Sequence, residues 1–224
     1  MISVVIPTLN AASTLEPVLA SLREGGELVG EVVVSDGGSL DGTAALASAA
    51  GCRVVSGGRS RGVQLAQGAE AATGPWLLFL HADTQLAPGW SGEVGSFIDA
   101  PGSEESAAVF AFALDDDSRS ARWLEAIVAV RVRSLAMPYG DQGLLVSRRL
   151  YDRVGGFRPI PLMEDVDLVR RIGRRRVRVL ATRAVTSAAR YRRSGYLPRM
   201  ARNAACLLLY FAGLPPRTIA RLYG

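Results

Sequence analysis

Over the first 84 residues, apolar runs of strand length alternate with stretches whose apolar residues recur at helical spacing, and this leaves little choice of fold. The strand-like runs fall at residues 2–6, 31–35, 53–55 and 76–80. Val33, Val34, Leu78 and Phe79 sit in runs without polar alternation, as in strands buried on both faces. Between the runs, residues 14–24, 41–50 and 61–72 space Leu, Val and Ala at helical intervals. Strand and helix taken alternately predict a parallel α/β sheet with right-handed crossovers. Ligands of such sheets bind beyond the carboxyl ends of the strands, so the segments at residues 7–10, 36–39, 56–62 and 81–84 are the ones to inspect. All four are rich in Gly, Pro, Asp, Asn or Ser, which tight turns need in any case.

Past residue 84 the pattern loosens. Residues 90–100 read as a helix, 101–106 as an exposed loop and 109–114 as a strand. Residues 119–135 read as a helix, 143–146 as a strand, 164–171 as the start of a helix, 196–214 as a largely apolar helix and 217–223 as a short terminal one. No flexible linker divides the chain, which predicts one composite domain over 1–224 with a front half (1–117) and a back half (118–224). The halves differ in charge. The 26 basic residues are all arginine, and residues 1–117 carry 4 of them against 15 acids, whereas 118–224 carry 22 against 6. Two surfaces with different partners are expected, one partner being anionic. Cys52 and Cys206 form neither a disulfide framework nor a metal pair, and Met1 runs straight into the first strand without a secretion signal. A cytoplasmic protein is the expectation. The longest uncharged apolar run, residues 204–214, falls short of the roughly 20 residues that span a bilayer.

The first strand is followed by Pro7, Thr8, Leu9 and Asn10 instead of the glycine series of a dinucleotide site, and a chain without lysine has no Walker lysine. Most NAD enzymes and P-loop proteins are thereby excluded. Asp36 ends the second strand, with Gly37 and Gly38 behind it. It reads either as part of a capped turn or as a carboxylate accepting hydrogen bonds from a base or ribose, with glycines letting the ligand approach. Asp83 follows the most hydrophobic strand, two residues after His81, the one histidine of the chain. Either is a candidate ligand, because a hard cation bridging a diphosphate needs only one or two protein carboxylates. Glu164 and Asp165, followed by Asp167, are the densest acidic spot of the back half. They read as charge favourable at a helix N-terminus, or as a general base among cationic neighbours.

Taken in order, these motifs resemble the family 2 glycosyltransferases, inverting enzymes of the GT-A fold that use nucleotide-diphosphate sugars. Residues 4–10 (VVIPTLN), 34–43 (VSDGGSLDGT) and 76–84 (WLLFLHADT) look like their first strands and metal motif. Residues 154–157 (VGGF) and 163–168 (MEDVDL) look like their acceptor-side segment and catalytic acid. The resemblance implies a three-layer α/β/α sandwich with a mostly parallel central sheet. It implies that Pro7, Thr8, Leu9, Asn10, Asp36, Gly37 and Ala82 cradle the nucleotide sugar, with Arg59 or Arg61 touching it. It also implies that Asp83, with His81 in place of the usual first aspartate, binds Mn or Mg, and that Asp165, beside Glu164, is the base. The Gln-x-x-Arg-Trp segment of processive synthases is missing, which points to the addition of one sugar.

The arginines of the back half, followed by the apolar residues 204–214, suit an anionic bilayer surface or a lipid-linked phosphate acceptor better than nucleic acid, since aromatic interleaving is sparse. Two other readings compete: a metal-dependent nucleotidyltransferase, and a non-catalytic nucleotide-binding protein acting as a membrane or partner adaptor.

Overall fold

The computed structural model describes residues 1–135 and 140–223. Eight strands form one sheet: β1 (Ile2–Thr8), β2 (Val29–Asp36), β3 (Arg53–Ser56), β4 (Trp76–Phe79), β5 (Thr84–Leu86), β6 (Ala107–Leu114), β7 (Leu144–Ser147) and β8 (Val177–Thr186). Their order is β3-β2-β1-β4-β7-β6-β8-β5, so the sheet runs unbroken from the acidic half into the basic half. Every residue of β1 and β4 is buried, in keeping with their mainly apolar sequences; the polar exceptions, Ser3 and Thr8, are hydrogen-bonded to Glu31 and Asp36.

Helices cover both faces. On one, α1 (Ala12–Leu22), α2 (Thr43–Ala49) and α4 (Trp90–Asp99) set Leu15, Val18, Ala47, Trp90 and Val94 against Ile2, Val4 and Ile6. On the other, α3 (Arg61–Ala71), α6 (Arg148–Arg153) and α7 (Glu164–Ile172) set Leu65, Ala69, Leu150, Leu168 and Ile172 against Val5, Val33 and Leu77. Alternate side chains of one strand thus feed opposite cores, giving the expected three layers. A third, smaller cluster joins α5 (Arg119–Leu135) to α8 (Ala189–Ser194) and α9 (Tyr196–Phe211). There Ala121, Leu124, Val128 and Val132 pack with Leu114 and Ala188, flanked by Tyr191, Tyr196 and Met200. The chain ends in α10 (Pro216–Tyr223).

Strand direction decides where the site lies. β2 and β4 are parallel to β1, β3 to β2, and β8 to β6, whereas β7 is antiparallel to both β4 and β6, and β5 to β8. The sheet is therefore mixed, with parallel pairings in the majority. At the edge where β1, β2, β4, β6 and β8 end, β7 and β5 begin.

Several elements differ from the expectation. β5, β8, α6 and α8 were not expected. In β8 only Leu180, Ala184 and Thr186 are buried, and Arg178 and Arg183 interrupt the strand, so no apolar run betrays it. The expected loop at 101–106 holds a short 3-10 turn, Ser103–Glu105, anchored by the buried Ser103 hydroxyl donating to the Ile98 carbonyl at 2.7 Å. The first helix stops at Leu22 and tightens into a 3-10 stretch, Arg23–Leu28. No described helix is long and apolar enough to cross a membrane.

Candidate active site

The floor of the site is a stitched pair of turns. The Thr8 hydroxyl donates to Asp36 Oδ1 at 2.9 Å, and Ser39 donates to the same oxygen from its hydroxyl at 2.5 Å. The amides of Gly38 and Ser39 donate to Oδ2 at 3.0 and 2.8 Å. Burial works against the Asp36 carboxylate, but these four donors outweigh it and hold its pKa below the usual range. Asn10 adopts a left-handed φ of 50°, which asparagine tolerates, and its side-chain oxygen accepts from the Leu40 amide at 2.9 Å. The buried Gln64 donates to the carbonyls of Thr8, at 2.5 Å, and Ser35, at 3.1 Å, clamping the ends of β1 and β2. Gly37 makes room for this clamp, since a Cβ there would stand 2.8 Å from Gln64 Nε2.

Above this floor opens a cleft of about 850 Å³ lined by Pro7, Thr8, Leu9, Asn10, Arg59, Arg61, His81, Ala82 and Asp83, together with Ser187, Arg190 and Arg193 from the end of β8 and from α8. Arg61, His81, Asp83, Ser187 and Arg190 also line an adjoining pocket of about 130 Å³, whose other walls include Asp141, Asp165, Arg199 and Asn203. Ten of the thirteen residues singled out from sequence line this double cavity, nine in the cleft and Asp165 in the pocket; Asp36 and Gly37 lie one layer behind the cleft, and Glu164 lies beneath the pocket floor.

Glu164 and Asp165 occupy the first turn of α7, where helix amides favour negative charge. Met163, at a left-handed φ of 65° unusual for its type, turns the chain into that helix. Asp165 Oδ1 accepts from the Val166 amide at 2.7 Å and Oδ2 from the Gly140 amide at 2.6 Å. Gly140 lies between Asp165 and His81, and a Cβ there would approach His81 Nε2 to 2.5 Å. Glu164 is buried and pairs with Arg61 at 2.5 Å, while its second oxygen has no hydrogen-bond partner. Burial raises its pKa against the pull of Arg61. Arg61 Nη1 also reaches His81 Nε2 at 3.3 Å. A guanidinium only donates, so Nε2 accepts and the imidazole is neutral; burial, then Arg61 and Arg190, push its pKa well below the ordinary value.

Asp141 was missed in the sequence, although it precedes β7 at the same edge. Its Oδ1 is buried without a hydrogen-bond partner. Burial pushes its pKa up to about 6, with Arg131 pulling back and Asp165 and Asp83 pushing further. A carboxyl raised in the folded state stabilises the fold below its unfolded pKa, and that contribution is lost as pH climbs through the folded value. Ionised Asp141 therefore costs up to about 3 kcal/mol at pH 7. Metal-free Asp141→Asn is expected to melt above the wild type at pH 8, with the gap shrinking toward pH 4. Parallel melting curves across this range would refute the assignment.

Asp83 and Asp141 offer carboxylate oxygens, one of them orphaned, which suits a hard divalent cation. Among the described residues, no group of three or more His, Cys, Asp or Glu could hold a metal alone. The rest of an ion's shell would fall to phosphate and water.

The model of the family described as Glycosyl transferase family 2 matches residues 3–160. No curated protein matches the chain by sequence. Among solved structures, glucosyl-3-phosphoglycerate synthase from Mycobacterium tuberculosis is similar in several ligand complexes. Its complex with Mn2+, UDP and glucosyl-3-phosphoglycerate superposes with a TM-score of 0.67 at 27% identity, over 96% of this chain and 81% of that one. Its complex with Mn2+ and UDP-glucose gives 0.66 at 25%, over 96% and 80%. The complex with Mn2+, UDP-glucose and glycerol 3-phosphate gives 0.66 at 27%, over 96% and 81%.

Proposed function

The chain belongs to glycosyl transferase family 2 and is a glycosyltransferase of GT-A type, and on that footing we propose that it moves one sugar from a UDP-sugar to an acceptor hydroxyl with inversion at the anomeric carbon. The observation that carries this reading is the junction of the two cavities, where Asp83 faces the donor cleft and Asp165 the adjoining pocket. Family membership sets the nucleotidyltransferase and adaptor readings aside.

In this mechanism the turn at residues 7–10 and Ala82 hold the nucleoside end of the donor, with Arg59 and Arg61 near its phosphates. Asp36 shapes that turn from behind instead of reaching the ligand, because its four acceptor positions are already filled. Asp83, with Asp141 beside it, would hold Mn2+ or Mg2+. A divalent ion there supplies charge neutralisation to the diphosphate leaving group. Asp165 takes the proton from the acceptor hydroxyl as its oxygen bonds to the anomeric carbon from the face opposite the breaking bond to UDP. The Gly140 and Val166 amides fix the orientation of Asp165, and Glu164 fixes Arg61 at the seam between donor and acceptor. His81 Nε2 accepts from Arg61, so ligation of a metal by that nitrogen would require Arg61 to move.

The reading is tested by thermal stabilisation and slow nucleotide release across UDP-, GDP- and other nucleotide sugars, with and without Mn2+. A UDP-sugar is expected to stabilise most, and more with the metal than without it. No stabilisation by any nucleotide sugar would sink the proposal.

The same reading includes peripheral contact with an anionic membrane and a lipid-linked acceptor. Leu197, Leu208, Phe211 and Leu222 are exposed on α9 and α10, and from residue 168 onward the chain has 14 arginines and no acid. Co-sedimentation with anionic vesicles but not neutral ones is the expected outcome, and equal behaviour with both would count against it.

A further inference from the structure

The pocket beside Asp165 is walled on one side by acids and on another by side chains of α8 and α9 to which the transfer mechanism above gives no role. Asp83, Asp141 and Asp165 supply the acids. Arg190, from α8, and Arg199 and Asn203, from α9, supply the other wall. Arg199 and Asn203 are four residues apart on one helix and therefore share a face, one above the other.

Arg199 is held in place. It is half-buried, and its guanidinium lies 5.4 Å from the centroid of the Tyr191 ring. Tyr191 stacks on Tyr196 at 5.3 Å, and the Tyr196 hydroxyl donates to Asp116 Oδ2 at 2.8 Å. A guanidinium braced on an aromatic face loses little freedom on binding, and its planar fork matches the oxygens of a phosphate or carboxylate. With Asp83 and Asp141 assigned to a cation, Asp165 still disfavours an anionic group beside it, so the charge of an anionic acceptor is best met at the arginine wall.

We propose that the acceptor is a small hydroxy compound bearing a phosphate or carboxylate, and that Arg199, with Asn203 and Arg190, holds this anion while the hydroxyl rests at Asp165. The proposal rests on the transferase reading above and names its acceptor class. The pocket of about 130 Å³ admits only the small end of such a molecule. The anion is either that of a soluble metabolite or the head group of a lipid.

Binding to the protein tests this without any donor. Glycerol 3-phosphate is expected to bind and raise the melting temperature, and glycerol to do neither. Arg199→Ala and Asn203→Ala should weaken glycerol 3-phosphate binding, the former about tenfold to hundredfold, with Arg199→Lys recovering part. Arg217→Ala, which removes the same charge from α10, should bind like the wild type. Phosphatidylglycerol vesicles competing for the site better than glycerol 3-phosphate would assign the anion to a lipid, and failure to compete would assign it to a soluble acceptor; both support the anion site. Equal binding of glycerol and its phosphate, or unchanged affinity in Arg199→Ala, would overturn it. Failure of UDP-sugars to bind with Mn2+ is a separate result that strikes the transferase reading and leaves the anion measurement standing.

Discussion

Asp165→Asn is expected to lower kcat by about 10²- to 10⁴-fold, the range that general-base assistance supplies, while leaving the binding of UDP and metal near normal. The amide of asparagine cannot take the acceptor proton. It also keeps only one oxygen to accept from the two amides, Gly140 and Val166, that now point at the carboxylate. One of those hydrogen bonds is lost, so a fall in stability of about 1 kcal/mol accompanies the loss of turnover. Steady-state UDP release at saturating donor and acceptor, paired with nucleotide titration, separates the two effects. Near-normal kcat in this variant would remove Asp165 from the mechanism.

Asp83→Ala should abolish the manganese-dependent part of UDP binding and cost at least about 10² in kcat, since charge stabilisation of the leaving group is worth several kcal/mol. Metal-independent binding through the turn at residues 7–10 should survive, because Thr8 is bonded to Asp36, Asp36 to Ser39, and Asn10 to Ser39 and Leu40, none of them to Asp83. Titrating UDP into wild type and variant with Mn2+ or with chelator measures this directly. A variant that keeps the full metal increment would show that the ion is held elsewhere.

Much of this arrangement was legible in the sequence, and the parts that were not share a cause. Runs such as residues 2–6 and 76–80 announce themselves because both faces are buried and all positions but Ser3 are apolar. β8 is half exposed and carries Arg178 and Arg183, so its pattern is diluted, and with it went the means of placing Ser187 and Arg190 at the site. Asp141 escaped for a different reason. Looking just past the end of each strand works for parallel strands, but β7 runs the other way, and its contribution to the edge comes from the residues before it. Asp83 was found because it follows β4, yet it also opens the reversed β5. Asp36 shows the opposite limit: its motif marks a turn bonded to itself, and spacing alone does not distinguish a carboxylate that binds a ligand from one that shapes the loop.

The separate cluster under α5, α8 and α9 has a consequence for descent. The donor-side turns and Asp83 rest on the two large cores of the sheet, whereas the wall bearing Arg190, Arg199 and Asn203 rests on a small core tied to the sheet through Leu114 and Ala188. On the acceptor assignment proposed above, substitutions in that small core would reshape the acceptor wall without repacking the donor side. The two walls should also open independently in hydrogen exchange, with amides of α8 and α9 exchanging ahead of those of β1 and β4. A lineage of such chains can therefore hold its donor constant and try new acceptors one helix at a time.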